Sequence, residues 1–182
     1  MERFIIFGIM SLPIVYLSWQ TLSTIKSHGF FRFFSWECIL WLFLSNYKFW
    51  FVDAFGFKQI LSWIFLFVSA YLIIAGLILM KKRGKPEKSR DDKALYQFEK
   101  TSELIDTGIF KYIRHPLYSS LLFLTWGIFL KNTTNMLLIV SLASSVFLYL
   151  TAIFVEKECI QYFGSQYREY MKRSKRFIPF VL

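Results

Sequence analysis

The feature that most constrains this chain is an uncharged run of twenty residues, Leu61 to Met80, reading LSWIFLFVSAYLIIAGLILM. As a helix it would span about 30 Å, the thickness of a bilayer's hydrocarbon core. It is the cleanest of five such stretches. The others run from about Phe4 to Leu22, Phe34 to Val52, Leu117 to Leu130 and Met136 to Val155, and the third span as a whole covers Gln59 to Met80. In lipid every backbone N–H and C=O must be satisfied within the spanning segment, so apolar runs of this length predict helices. The expected fold is therefore all-α, a polytopic membrane protein of about five transmembrane helices.

Composition agrees with that expectation. The 182 residues are 55% hydrophobic and 21% aromatic, which exceeds ordinary globular usage. The run from Phe4 to Leu22 follows Arg3 as a signal peptide would. No small-residue cleavage site comes after it, and Tyr16 and Trp19 suit a membrane interface, so it reads as a retained span. The fourth stretch is short for a full crossing. Lys131 to Asn135 separates it from the fifth, and the two read as a tight helical hairpin. Residues 1–80 thus hold three spans. Residues 81–182 hold a connector, the hairpin and a polar, basic tail, and the whole forms one domain.

The formal net charge of +10 does not indicate nucleic acid, because the basic residues flank the apolar spans. With five crossings and the C-terminus inside, the cytoplasmic segments hold 18 Lys and Arg and the opposite side holds 4, namely Arg3, Lys48, Lys58 and Lys131. That is a strong positive-inside bias. In the tail, Ile160, Phe163, Tyr167, Tyr170 and Met171 recur at spacings of three and four, which predicts a cytoplasmic amphipathic helix. Glu37 falls near the cytoplasmic end of the second span, where an acid can reach water.

Other classes find no support. Cys38 and Cys159 lie far apart, and His28 and His115 are too few for a histidine-rich metal site, so no metal is expected. Neither a GxGxxG nor a P-loop pattern occurs.

Two polar constellations lie at membrane boundaries. In Gly108-Ile-Phe-Lys-Tyr-Ile-Arg-His-Pro-Leu-Tyr118, Pro116 suits the first turn of the fourth helix, which puts His115 at the N-cap and Tyr118 one turn on. A helix start with Arg114 beside it is suited to a carboxylate. The second is Glu156-Lys157-Glu158, at the end of the last span. A carboxylate there can hold a cation or accept from hydroxyl groups. An interfacial belt of basic and aromatic residues, or a solvated helix end, would look the same from these residues alone.

Both constellations resemble one family. Gly108-Ile109-Phe110 … Arg114-His115-Pro116-Leu117-Tyr118 is similar to the G-(I/V)-(Y/F)-x-x-x-R-H-P-x-Y motif of isoprenylcysteine carboxyl methyltransferases and bacterial phospholipid methyltransferases. The ending Glu156 … Phe163-Gly164 … Tyr167 … Tyr170 … Arg176-Phe177-Ile178-Pro179 is similar to that family's E-E … F-G-x-x-Y-x-x-Y … R-F-I-P. The likeness covers roughly Gln97 to Pro179. It implies a membrane-embedded methyltransferase using S-adenosylmethionine in a cytoplasmic pocket under the tail. By position, the implied cofactor contacts are Gln97, Ser102, Glu103, Leu104, Ile105, Phe110, Arg114, His115, Pro116, Leu117, Tyr118 and Glu156. Two departures stand out. Val155 replaces the first of two adjacent glutamates. Thr151 stands where the prenylcysteine enzymes place the arginine that meets the substrate carboxylate, which argues against such a substrate.

Methyl transfer from a sulfonium is an in-line displacement that needs position and a dry setting more than added chemistry. The rings of Phe110, Tyr112 and Tyr118 can stabilise the cation. A lipophilic or lipid acceptor would enter sideways from the bilayer. No dedicated general base is expected, and the acceptor's proton would leave to water or to a neighbour such as Glu37. Two other readings compete: an NADPH-dependent membrane reductase of the sterol reductase type, which shares an R-H-x-x-Y region, and a non-enzymatic membrane scaffold whose basic tail binds anionic lipid.

Overall fold

Ser27 decides where the second helix begins. Its hydroxyl accepts from the backbone N–H of Phe30 at 3.3 Å, capping a free donor of the first turn. The helix therefore starts at His28 rather than Phe34, and it ends at Asn46. The computed structural model describes residues 1–22, 27–84 and 101–180, which fold as α1 (Glu2–Leu22), α2 (His28–Asn46), α3 (Phe57–Arg83), α4 (Pro116–Phe129), α5 (Asn135–Phe163) and α6 (Ser165–Arg173). Short 3-10 turns at Tyr47–Phe49 and Gly108–Lys111 complete the described elements.

The earlier start of α2 corrects two expectations. His28 and Arg32, read as loop residues, lie in the helix and are buried. Glu37, expected near one end, is the tenth of nineteen residues and so sits halfway along. There it accepts from the Ser11 hydroxyl of α1 at 2.6 Å.

Among the described residues three helices, α1, α3 and α5, are long and apolar enough to cross a membrane. α4 has 14 residues, about 21 Å of helix, and does not cross by its own length. α5 has 29 residues, about 43 Å, so it outruns a ~30 Å hydrocarbon layer. Thr134 caps its start by accepting from Leu137 N–H at 3.3 Å. The surplus turns carry Glu156 to Phe163 beyond the apolar part of the bundle.

The helices pair in space as α1 on α2, α2 on α5, α5 on α4 and α4 on α3. Hydroxyl groups stitch these seams. Ser62 and Ser69 of α3 donate to the carbonyls of Gly127 and Ser120 in α4 at 2.6 and 2.7 Å. Ser144 of α5 meets Ser35 of α2 at 3.1 Å and Thr125 of α4 at 3.2 Å. Small residues that let backbones approach, with hydroxyls bonded across, are what helices use where lipid removes the hydrophobic drive to associate. The outer faces stay apolar and exposed along α1, α3 and α5, as lipid contact requires.

The amphipathic tail helix is not continuous. Ile160 and Phe163 belong to the end of α5, and Tyr167, Tyr170 and Met171 to α6. The break is Gly164, at φ +60° and ψ −128°, a conformation that L side chains rarely adopt. It turns α6 back across the end of the bundle.

Candidate functional site

Pro116 opens α4 at its first turn and His115 is its N-cap residue, as the sequence predicts. What fixes this segment is the tail. Residues 112–115 and 175–176 pair as a short parallel bridge. Arg114 N–H donates to Lys175 C=O at 2.7 Å, His115 N–H to Arg176 C=O at 3.2 Å, and Lys175 N–H to Tyr112 C=O at 2.9 Å. The Ser119 hydroxyl donates to Phe177 C=O at 2.8 Å, and the Tyr170 hydroxyl to Phe110 C=O at 2.5 Å. The tail thus holds the Gly108–Tyr118 motif by its backbone.

Beneath this clamp lies an ion cluster. Glu156, 4% exposed, accepts from Arg114 Nε at 2.9 Å and from Arg176 Nε and a terminal nitrogen at 3.1 and 2.7 Å. Arg114 also donates to the carbonyls of Met171 and Ser174. Arg176 lies over the Tyr149 ring at 4.9 Å, and its hydrogen bonds to Glu156 push its pKa up. Two guanidinium groups against one carboxylate leave a surplus positive charge.

His115 sits beside that surplus. Its Nε2 lies 3.4 Å from Glu156 Oε1 but out of line for a hydrogen bond, and it is buried with no partner among the described residues. Burial pushes its pKa down, and the charges of Arg114 and Arg176 act in the same direction against the pull of Glu156. The ring is therefore neutral at pH 7. It stacks on Tyr118 at 5.6 Å between centroids.

All this borders a cavity of about 110 Å³ that is open on one side. Of the residues expected at the cofactor site, Leu104, Ile105, Phe110, Arg114, His115, Pro116, Leu117 and Tyr118 line it. Glu156 stands just behind, through His115 and Arg114. Ser102 and Glu103 lie away from the cavity wall, where the Ser102 N–H donates to Gly84 C=O at 3.0 Å. Gln97 lies outside the described residues.

Several lining residues were not among the expected cofactor contacts, although Glu158, Phe163, Tyr167 and Tyr170 belong to the constellations named from sequence. Val155, Glu158, Cys159 and Phe163 form a stripe at helical spacing along α5, and Tyr167 and Tyr170 close the tail side. Burial pushes both phenols up in pKa, so they face the cavity as neutral groups. Glu158 is joined from the N-terminal half by His28, whose Nδ1 is 2.7 Å from Glu158 Oε2. The α5 stripe is legible from spacing once the cavity's side is known. No sequence signal links positions 28 and 158.

The cavity wall offers a neutral imidazole, a surplus cation behind it, a carboxylate and several ring faces. Together these suit a ligand that carries both an anionic and a cationic group. A family model described as phospholipid methyltransferase matches residues 64–166, more than half of the chain and most of the cavity wall. Comparison with curated proteins and with solved structures gave no significant match.

Proposed function

The chain belongs to the phospholipid methyltransferase family, and we propose that it moves the methyl group of S-adenosylmethionine to a lipid acceptor in the bilayer. The observation that carries this is the buried Nε2 of His115, without a hydrogen-bond partner among the described residues and set on the cavity wall beside the Arg114–Glu156–Arg176 cluster. A buried polar atom without a partner is costly unless a ligand satisfies it.

The residues present fit the cofactor. The surplus positive charge and the start of α4 favour its carboxylate. The faces of Phe110, Tyr118 and Tyr167 favour its sulfonium and its base. Glu156 holds both arginines in place, and the tail excludes water from the inner wall. When bound, the cofactor supplies an activated methyl group, so the chain's own task is to orient the donor and keep it dry. The acceptor reaches the cavity from the bilayer. No arginine stands at Thr151, and both arginines of the site are held by Glu156, so an acidic acceptor finds no dedicated counter-charge.

On a path of five crossings, in which α4 spans only together with its flanking residues, 18 of the 22 Lys and Arg share the cavity's side, so we place the cavity at the cytoplasmic face. Calorimetric titration of the detergent-solubilised chain tests the assignment. Saturable binding of S-adenosylmethionine and none of NADPH is expected, with His115→Ala losing at least tenfold in affinity. Binding of NADPH instead supports a reductase, and silence for both leaves a membrane scaffold.

A further inference from the structure

Six groups near the reaction could take a proton from a methyl acceptor, and their contacts, charge and place in the fold set five of them aside. Glu156 has both carboxylate oxygens held by guanidinium groups. A proton arriving at His115 would add to the charge of Arg114 and Arg176. The hydroxyls of Tyr170 and Ser119 are spent on the carbonyls of Phe110 and Phe177. Glu37 lies halfway along α2, bonded to Ser11, and does not line the cavity. Glu158 remains. It sits on the cavity stripe of α5, one turn from Val155, with its side chain 25% exposed.

Its partner is unusual. His28 opens α2, is fully buried, and reaches Glu158 Oε2 with Nδ1 at 2.7 Å. A buried histidine from the N-terminal half of the chain thus orients a carboxylate on the wall of the cavity. Base and orienting group in hydrogen-bond contact is the arrangement that general-base catalysis needs. His28 meets Oε2 of Glu158, and Glu158 itself lines the cavity.

We propose that Glu158 is the general base of the methyl transfer and that His28 is its positioning residue, a role that rests on the S-adenosylmethionine reading above. The acceptor brings a heteroatom bearing hydrogen. The new carbon–heteroatom bond forms as the methyl carbon–sulfur bond breaks, and that bonding pair stays on sulfur. The acceptor's proton passes to the Glu158 carboxylate. From there it returns to solvent through the open side of the cavity. Neither oxidant nor metal enters the balance.

The test uses the full chain in vesicles of a total polar lipid extract, with tritiated-methyl S-adenosylmethionine, and calorimetry in detergent as a second readout. Glu158→Gln should bind the cofactor within about threefold of the parent and lower kcat by ~10²-fold or more, the range of a lost general base. Glu158→Asp should recover at least tenfold of that loss. His28→Gln should lower kcat with KM for the cofactor and the melting temperature held, which separates positioning from a structural role. Three results overturn the proposal: unchanged turnover in Glu158→Gln, a parallel loss of cofactor affinity that makes Glu158 a cofactor contact, or no recovery in Glu158→Asp when that variant binds cofactor normally. A parent chain that binds no S-adenosylmethionine overturns the proposed function itself, and the base assignment with it.

Discussion

Glu156 accepts from two guanidinium groups that lie 42 and 20 positions away in the chain. Breaking such a buried cluster by removing one partner strands the other charges. Glu156→Ala should therefore lower stability by ~3 kcal/mol or more, and Arg176→Ala on that background should cost less than in the parent, as a double-mutant cycle in detergent will show. His115 gives the second prediction at this scale. Its pKa is lowered in the fold, so below the unfolded value of about 6.5 the unfolded chain binds the extra proton first. Stability is thus fully present above pH 6.5 and falls as pH drops towards the depressed folded value, by at most ~1.4 kcal/mol per unit. Thermal melts of the parent against His115→Gln across pH 5–8 should show that slope flattened in the variant. At this scale the sequence was informative where contacts are local. Pro116 at the first turn of α4 and His115 at its cap follow from their order alone. The pairings of Glu156 and of His28 are set by how helices meet, and nothing adjacent to those residues announces them.

At the scale of elements, the existence of helices was legible and their ends were not. The charge of Arg32 and the polarity of His28 read as a loop, yet the Ser27 cap carries the helix back to both. That shift of six residues moves Glu37 from an interface to the middle of a helix. The tail's periodicity was correct in kind, but the spacing of three and four runs through Gly164 without a signal of the turn there, because α5 and α6 share one apolar stripe. The glycine does the turning. A Cβ at Gly164 would meet nothing within 4 Å, so the cost of Gly164→Ala is conformational alone. About 1–2 kcal/mol is expected from the left-handed backbone. Since α6 carries Tyr167 and Tyr170 to the cavity, calorimetry should also show weaker S-adenosylmethionine binding. A loss of cofactor affinity without a change in secondary-structure content would place the effect in the angle between the helices.

The whole molecule divides its labour by chain position. The described part of the first 80 residues makes lipid-facing helices, and the cavity gathers behind Met80, with the pairing of His28 to Glu158 tying the two halves. The asymmetry of 18 basic residues to 4 predicts which end faces the cytoplasm. Single cysteines placed at Asn132 and at Gln166, on a background without Cys38 and Cys159, should react with an impermeant maleimide from opposite sides of sealed vesicles. Equal labelling of both would refute five crossings. The apolar helices come from hydropathy, which a sequence displays openly, whereas the cavity depends on a tail folded back over a distant loop. That fold-back has a consequence in time. The bridge at Lys175 and Arg176 and the bond to Phe177 C=O bring together backbone made some sixty residues apart. Synthesis proceeds from the N-terminus, so every helix can be threaded into the bilayer while the pocket still lacks its last wall. The cavity is then completed only after the tail that bonds to residues 112–119 has been made, behind all six described helices.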